Sequence, residues 1–145
     1  MMKVLFLDLD GVVHPSPLSD GDQHFQWLPN LRALLRGRAG VGIAVHSTWR
    51  YTYTARELQD LLIDVGTSVL GATPRGPRYE SILWWLHLNP QFKDYRILDD
   101  AAGEFPQPAP AELLLCDPAE GILTRGVLDS LEQWLDSPQS YTPGK

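Results

Sequence analysis

The sequence predicts an α/β fold: a single Rossmann-like, doubly wound domain built on a parallel sheet of about five strands. Three observations predict it. Short apolar runs suited to strands buried on both faces alternate with segments whose leucines recur at helical spacing. Acidic or hydroxyl residues stand directly after several of those runs, at the strand ends where open α/β sheets bind their ligands. No internal repeat and no domain linker interrupts the alternation.

The first strand is residues 4–7, Val-Leu-Phe-Leu, closed by Asp8, with Asp10 and Gly11 following at once. Residues 14–26 hold Pro15, Pro17, Asp20, Gly21 and Asp22 and read as a loop bordering the ligand edge. Leu28, Leu31, Leu34 and Leu35 mark a first helix, which Gly37 and Gly40 end before a second buried strand at 41–45. A second helix is expected over 54–65, with Leu58, Leu61, Leu62 and Val65 on one stripe, and a third strand over 67–72. Residues 78–88 form a third helix that packs Ile82, Trp85 and Leu86. The fourth strand, 95–98, runs into Asp99-Asp100, and the fifth, 113–116, into Asp117. A last helix over about 124–135 follows Gly121, with Thr124 as its expected cap. The domain is expected to span 1–136, leaving 137–145, Ser-Pro-Gln-Ser-Tyr-Thr-Pro-Gly-Lys, as a disordered tail.

Composition narrows the function. A chain of 145 residues with 43% hydrophobic and 21% charged residues suits one ordinary globular core. The lone Cys116 cannot form an internal disulfide and reads as a small core residue in a reducing compartment. The amino terminus carries one lysine before a strand followed by aspartates, which is neither a signal peptide nor a span of roughly 20 apolar residues. A cytoplasmic protein with no membrane partner is therefore expected. The net charge of -6 supplies no general attraction to polyphosphate chains.

Asp8 and Asp10 repel each other when both are ionised, so their pairing makes most sense beside a cation. Hard oxygen ligands and a phosphate substrate point to Mg2+. Parallel strands would bring His46-Ser47-Thr48 and Asp99-Asp100 to the same edge as Asp8 and Asp10.

Acid pair, hydroxyl, basic residue and second acid pair, in that order, resemble the haloacid dehalogenase (HAD) superfamily. Its first motif is an apolar strand followed by Asp-x-Asp-Gly, matched here by Asp8-Leu9-Asp10-Gly11-Val12-Val13. The resemblance covers roughly residues 3–135 and implies specific roles. Asp8 would be the nucleophile that becomes an aspartyl-phosphate, and Asp10 the acid/base, with its backbone carbonyl on the metal. Gly11 would let the turn bring backbone N–H groups to the phosphate. Ser47 would bind a phosphate oxygen, with Thr48 as the alternate register or a backbone N–H donor. Arg50 would contact a second substrate group, and Trp49 would either stack on a base or sugar or pack beneath the loop. The superfamily's third motif is a lysine, yet none occurs between Lys3 and Lys93. Arg78 is the first candidate to replace it and Arg75 the second; an arginine holds phosphate bidentately but cannot change protonation state. Asp99 or Asp100 would be the direct metal ligand, the other holding a metal-bound water. Asp117, followed by Pro118, reads as a turn, and His14 and His46 as neighbours that orient loops.

Neither gap between these motifs has room for the cap domain that many superfamily members carry. Ser47 to Arg50, Trp85-Leu86, Asp99-Asp100 and the stretch from Gly121 to Thr124 are similar to the HAD domains of bacterial RNA-repair fusion proteins. The resemblance implies a magnesium-dependent phosphatase acting on a phosphorylated small molecule or a nucleic-acid end. Two other readings keep the fold. One is a binding or scaffold domain that lost catalysis with its lysine; the other is a phospho-accepting receiver, whose acid pair would follow the first strand and its phosphorylated aspartate the third.

Overall fold

The computed structural model describes residues 2–65 and 67–138. Five strands, β1 (Met2–Leu7), β2 (Val41–Val45), β3 (Ser68–Ala72), β4 (Phe92–Asp99) and β5 (Leu113–Leu115), form one sheet in the order β3-β2-β1-β4-β5. Every pairing is parallel. Helices α1 (Leu28–Leu35), α2 (Ala55–Leu61), α3 (Arg78–Leu88) and α4 (Val127–Asp136) connect or follow the strands. The strand order reverses direction between β1 and β4, which opens a crevice beyond their carboxyl ends.

The two faces of β1 explain why it reads as a continuous apolar run. Successive side chains point to opposite sides of the sheet. Leu5 and Leu7 join Leu31, Leu35, Leu58 and Leu131 from α1, α2 and α4, whereas Val4 and Phe6 join Ile82 and Trp85 from α3. Phe6 meets Trp85 and Tyr95 edge-on at 5.4 and 5.9 Å, each contact contributing about 0.5–1.5 kcal/mol beyond area burial. Cys116 is buried.

Four departures from the expected bounds have a local reason; β1 also starts earlier, at Met2, and β5 ends earlier, at Leu115. α2 starts on a capping box in which Thr54 Oγ1 accepts from Glu57 N–H and Glu57 accepts from Thr54 N–H. It ends at Leu61, and a short 3-10 turn, Ile63–Val65, keeps Val65 in the core while turning the chain towards β3. β4 begins at Phe92, three residues early, because its backbone pairs with β1 from Met2 onward in spite of the polar Lys93 and Asp94. α4 starts after Gly126, which adopts a left-handed φ of 86°, and Thr124 is not its cap. The Thr124 hydroxyl is already committed to the preceding turn, donating to Gly121 O at 2.6 Å and accepting from Asp117 N–H at 2.9 Å. Asp117 itself lies in that turn. The fourth difference concerns Ser137, whose carbonyl accepts from Lys3 Nζ at 2.7 Å while Trp134 O accepts from the same ammonium at 2.6 Å. This buried cation fastens the carboxyl end of α4 to β1, where the helix dipole favours positive charge. Ser137 is thus part of the folded body, and residues 139–145 of the expected tail lie outside the described residues.

Among the described residues no cap domain is present. Residues 8–27 contain turns and one isolated bridge between Asp10 and His14, and β2 is joined to β3 by a 3-10 turn (Thr48–Tyr51), α2 and the turn after it. No described helix is long and apolar enough to cross a membrane.

Candidate active site

Register sets the site. Leu7 pairs with Val45 on one side and Leu98 on the other, so the next residues, Asp8, His46 and Asp99, lie level across β2, β1 and β4. All three are buried. Asp8, Asp99 and Asp100 each offer a carboxylate oxygen, and these lie within 4.8 Å of one another. Arg78, the first residue of α3, spans the crevice. Its Nη1 donates to Asp99 Oδ1 at 2.8 Å, Asp99 Oδ2 at 3.0 Å and Asp8 Oδ2 at 3.2 Å.

The electrostatics follow from burial and these partners. Burial, reinforced by the charge of Asp99, pushes Asp8 up to about 9 against the pull of Arg78. Burial also raises Asp100. Asp99 is buried as well, but hydrogen bonding and charge from His46, the Arg78 guanidinium and Ala101 N–H outweigh the desolvation and hold it below the usual carboxylate range. Arg78 is raised, since Asp8 and Asp99 outweigh its own desolvation. His46 donates from Nε2 to Asp99 Oδ2 at 2.6 Å, its Nδ1 has no partner, and burial lowers its proton affinity. One ionised carboxylate is therefore fixed by Arg78 and His46, while Asp8 and Asp100 hold a proton between them in the metal-free protein. Such a proton sits where a small, hard cation would replace it.

Gly11 makes room for Asp100. It lies in the left-handed region at φ 74°, and a Cβ there would collide with the Asp100 carboxylate. Gly11→Ala should strain the backbone and displace the Asp100 carboxylate, destabilising the fold by about 1–3 kcal/mol with far-ultraviolet circular dichroism unchanged. Urea unfolding checks it.

Asp10 stands at the rim of the crevice with both oxygens held. His14 Nε2 donates to Oδ1 at 2.7 Å and Trp49 Nε1 to Oδ2 at 3.0 Å. Phe25 N–H donates to His14 Nδ1 at 3.1 Å, which fixes the ring hydrogen on Nε2. Ser47 is buried at the end of β2 and caps the 3-10 turn by accepting from Trp49 N–H at 3.2 Å; Thr48 is exposed beside it.

The other two arginines go elsewhere. Arg50 is buried, its guanidinium donating to His46 O, to Ser47 O at 3.0 Å and to Gly76 O at 2.9 Å. Those carbonyls, brought together by two loops, occupy the donors expected to meet substrate, so Arg50 pins the 46–51 loop to the 73–77 loop. Arg75 lies over the Tyr51 ring at 5.0 Å, away from the carboxylates. Arg78 is thus the arginine that reaches Asp8.

The family described as the HAD domain in Swiss Army Knife RNA repair proteins matches residues 4–127. The chain belongs to this HAD-domain family. No curated protein and no solved structure matches it. The family makes the chain a HAD-type hydrolase domain on a Rossmann-like fold, and the acid cluster is compatible with that chemistry. Within the HAD domain, the contacts of His14 and Trp49 with Asp10 were not legible as site contacts in the sequence. A histidine four residues after the second motif aspartate, inside a turn, was the available signal for the first.

Proposed function

We propose that this HAD domain is a magnesium-dependent phosphomonoester hydrolase working through a phosphorylated Asp8. The observation that carries the reading is the level row of Asp8 and Asp99 bridged by Arg78, with Asp10 held at the rim above. The donor set fits Mg2+: only carboxylates, one of them too protonated for a nucleophile unless a cation displaces its proton. Asp8, Asp100 and the Asp10 carbonyl would hold it. Asp99, its oxygens occupied by Arg78 and His46, fits the role of positioning Arg78. Bound Mg2+ would supply positive charge that offsets the repulsion between phosphate and carboxylates.

The residues then divide the reaction. An Asp8 carboxylate oxygen attacks phosphorus, the bond from phosphorus to the ester oxygen breaks, and Asp10 gives that oxygen its proton. Water next attacks the phosphoryl group, Asp10 takes its proton back from the water, and the bond to Asp8 breaks to release inorganic phosphate. Asp10 rather than His14 is the acid/base, because the His14 ring hydrogen is committed to holding it. Arg78 and the Ser47 hydroxyl bind the non-bridging oxygens, and the backbone N–H at Thr48 adds to them, whereas the N–H groups expected from the turn at Gly11 are taken, those of Val12 and Val13 donating to Leu9 O at 3.2 and 3.0 Å. The substrates this reading favours are phosphates on nucleotides or nucleic-acid ends, supported by the family's description and by an uncapped crevice open to bulky esters. Phosphate release from an aryl phosphate, with Mg2+ and with chelator, tests the chemistry. No release from a broad monoester panel in the presence of bound Mg2+ sinks it.

A further inference from the structure

Beside Asp10 lies a shallow cleft of about 370 Å³ lined by Asp10, His24, Thr48, Trp49, Thr52 and Tyr53. Asp10 protonates the leaving oxygen in the proposed reaction, so the leaving group must sit within one hydrogen bond of it, and this cleft is the space that opens there. We infer that the cleft receives a nucleoside, its base against the aromatic rings and its ribose next to Asp10. The inference rests on the phosphatase reading and specifies which alcohol that reaction releases.

Three features of the cleft favour this occupant. The first is the aromatic wall: Trp49 and Tyr53 stack at 5.4 Å and 24°, and His24 stands edge-on to Trp49 at 5.5 Å and 87°. Trp49 and Tyr53 are only partly covered and His24 is exposed. Faces of this kind take any base by stacking.

Second, the wall is preorganised. Trp49 is tied to Asp10 through its indole N–H, and Phe25, at the unusual φ of 61°, packs on Trp49 at 5.4 Å while its N–H fixes His14. Backbone strain in a non-glycine residue persists where surrounding contacts over-determine it. A wall already ordered gives up little entropy when a ligand arrives.

Third, charge excludes the main competitors. No lysine or arginine lines the cleft, and Asp10 is acidic, so a second phosphate on the leaving group would be left unpaired there. The Thr48 and Thr52 hydroxyls match ribose hydroxyls instead. The cation-bearing side of the crevice, at Arg78, is left to the scissile phosphate.

The test compares kcat/KM for phosphate release, with Mg2+, from adenosine 5′-monophosphate, a 5′-phosphorylated oligonucleotide and glycerol phosphate. Wild type should favour the nucleotide substrates, and Tyr53→Leu and His24→Ala should each lower the ratio of nucleotide to glycerol phosphate turnover about tenfold. A ratio unchanged in both variants overturns the inference while leaving the phosphatase intact. The mononucleotide should be preferred to the oligonucleotide, whose next phosphate would meet no cation in the cleft; preference for the oligonucleotide would overturn the inference. Calorimetric titration with adenosine alone needs no turnover. If no substrate releases phosphate, the phosphatase reading fails, and adenosine binding to wild type, weakened in Tyr53→Leu, still upholds the cleft; absence of binding overturns it.

Discussion

Asp8→Asn should abolish phosphate release, by a factor on the order of 10⁴ or more, and at the same time make the metal-free fold less sensitive to alkali. The first effect follows from losing the only carboxylate placed in the row between His46 and Asp99. The second follows from proton linkage. Burial and the neighbouring Asp99 raise Asp8 from 3.8 to about 9, so the native state keeps a proton that the unfolded chain releases. Its contribution to stability is complete below about pH 4 and is lost as pH rises through about 9. His46 works in the opposite direction. Burial lowers it from 6.5, so its contribution grows as pH rises towards 6.5 and changes no further above that. Between pH 6.5 and about 9 the stability of the chelator-treated wild type should therefore fall. Saturating Mg2+ should flatten this limb, because a cation replaces the shared proton, and Asp8→Asn should flatten it without metal. Urea unfolding followed across this range, with chelator and with Mg2+, decides the matter. A metal-free wild type whose stability does not change there would show that Asp8 holds no proton.

What could be read from the chain depended on whether local pattern or distant partners set the outcome. The strand 4–7 and the acids after it were legible because a parallel sheet covered on both faces needs an uninterrupted apolar run, and such a run can end only where the chain meets solvent or a ligand. The grouping of Asp8 with Asp99 was legible too, since parallel strands bring their carboxyl ends to one edge. The start of β4 was not. Lys93 and Asp94 look unlike a buried strand, and only pairing with β1, together with the bond from Trp134 Nε1 to Asp94 Oδ1 at 2.8 Å, makes a place for them. Arg50 shows the same limit at the site: its position after the second motif says that it is near, but three backbone carbonyls from two loops decide where its guanidinium goes. The clamp on Asp10 depends on a histidine within one turn and a tryptophan 39 residues away, and no spacing announces the second.

Arg78→Ala should lower kcat/KM about 10³-fold and destabilise the metal-free fold by about 3 kcal/mol, the low end for breaking a buried ion pair because the side chain is 17% exposed. Both effects have one origin. Arg78 is the only cation among the described residues that contacts Asp8 and Asp99, so its removal leaves two buried carboxylates with His46 as their one strong side-chain donor. Part of that cost is avoided by protonation, and Mg2+ should recover part of the stability without recovering the rate, since it cannot also hold the phosphate oxygens that the proposed reaction assigns to Arg78. Arg78→Lys separates the two roles. A single nitrogen, Nη1, makes every contact with the carboxylates, and a lysine ammonium could replace it there, so stability should return to within about 1 kcal/mol of wild type. The remaining guanidinium nitrogens have no counterpart in lysine. Inorganic phosphate should then bind more weakly, and product inhibition should ease several-fold as the bidentate hold is lost. Full turnover in Arg78→Ala would remove Arg78 from the phosphate site. Unchanged product inhibition in Arg78→Lys would instead confine it to neutralising Asp8 and Asp99.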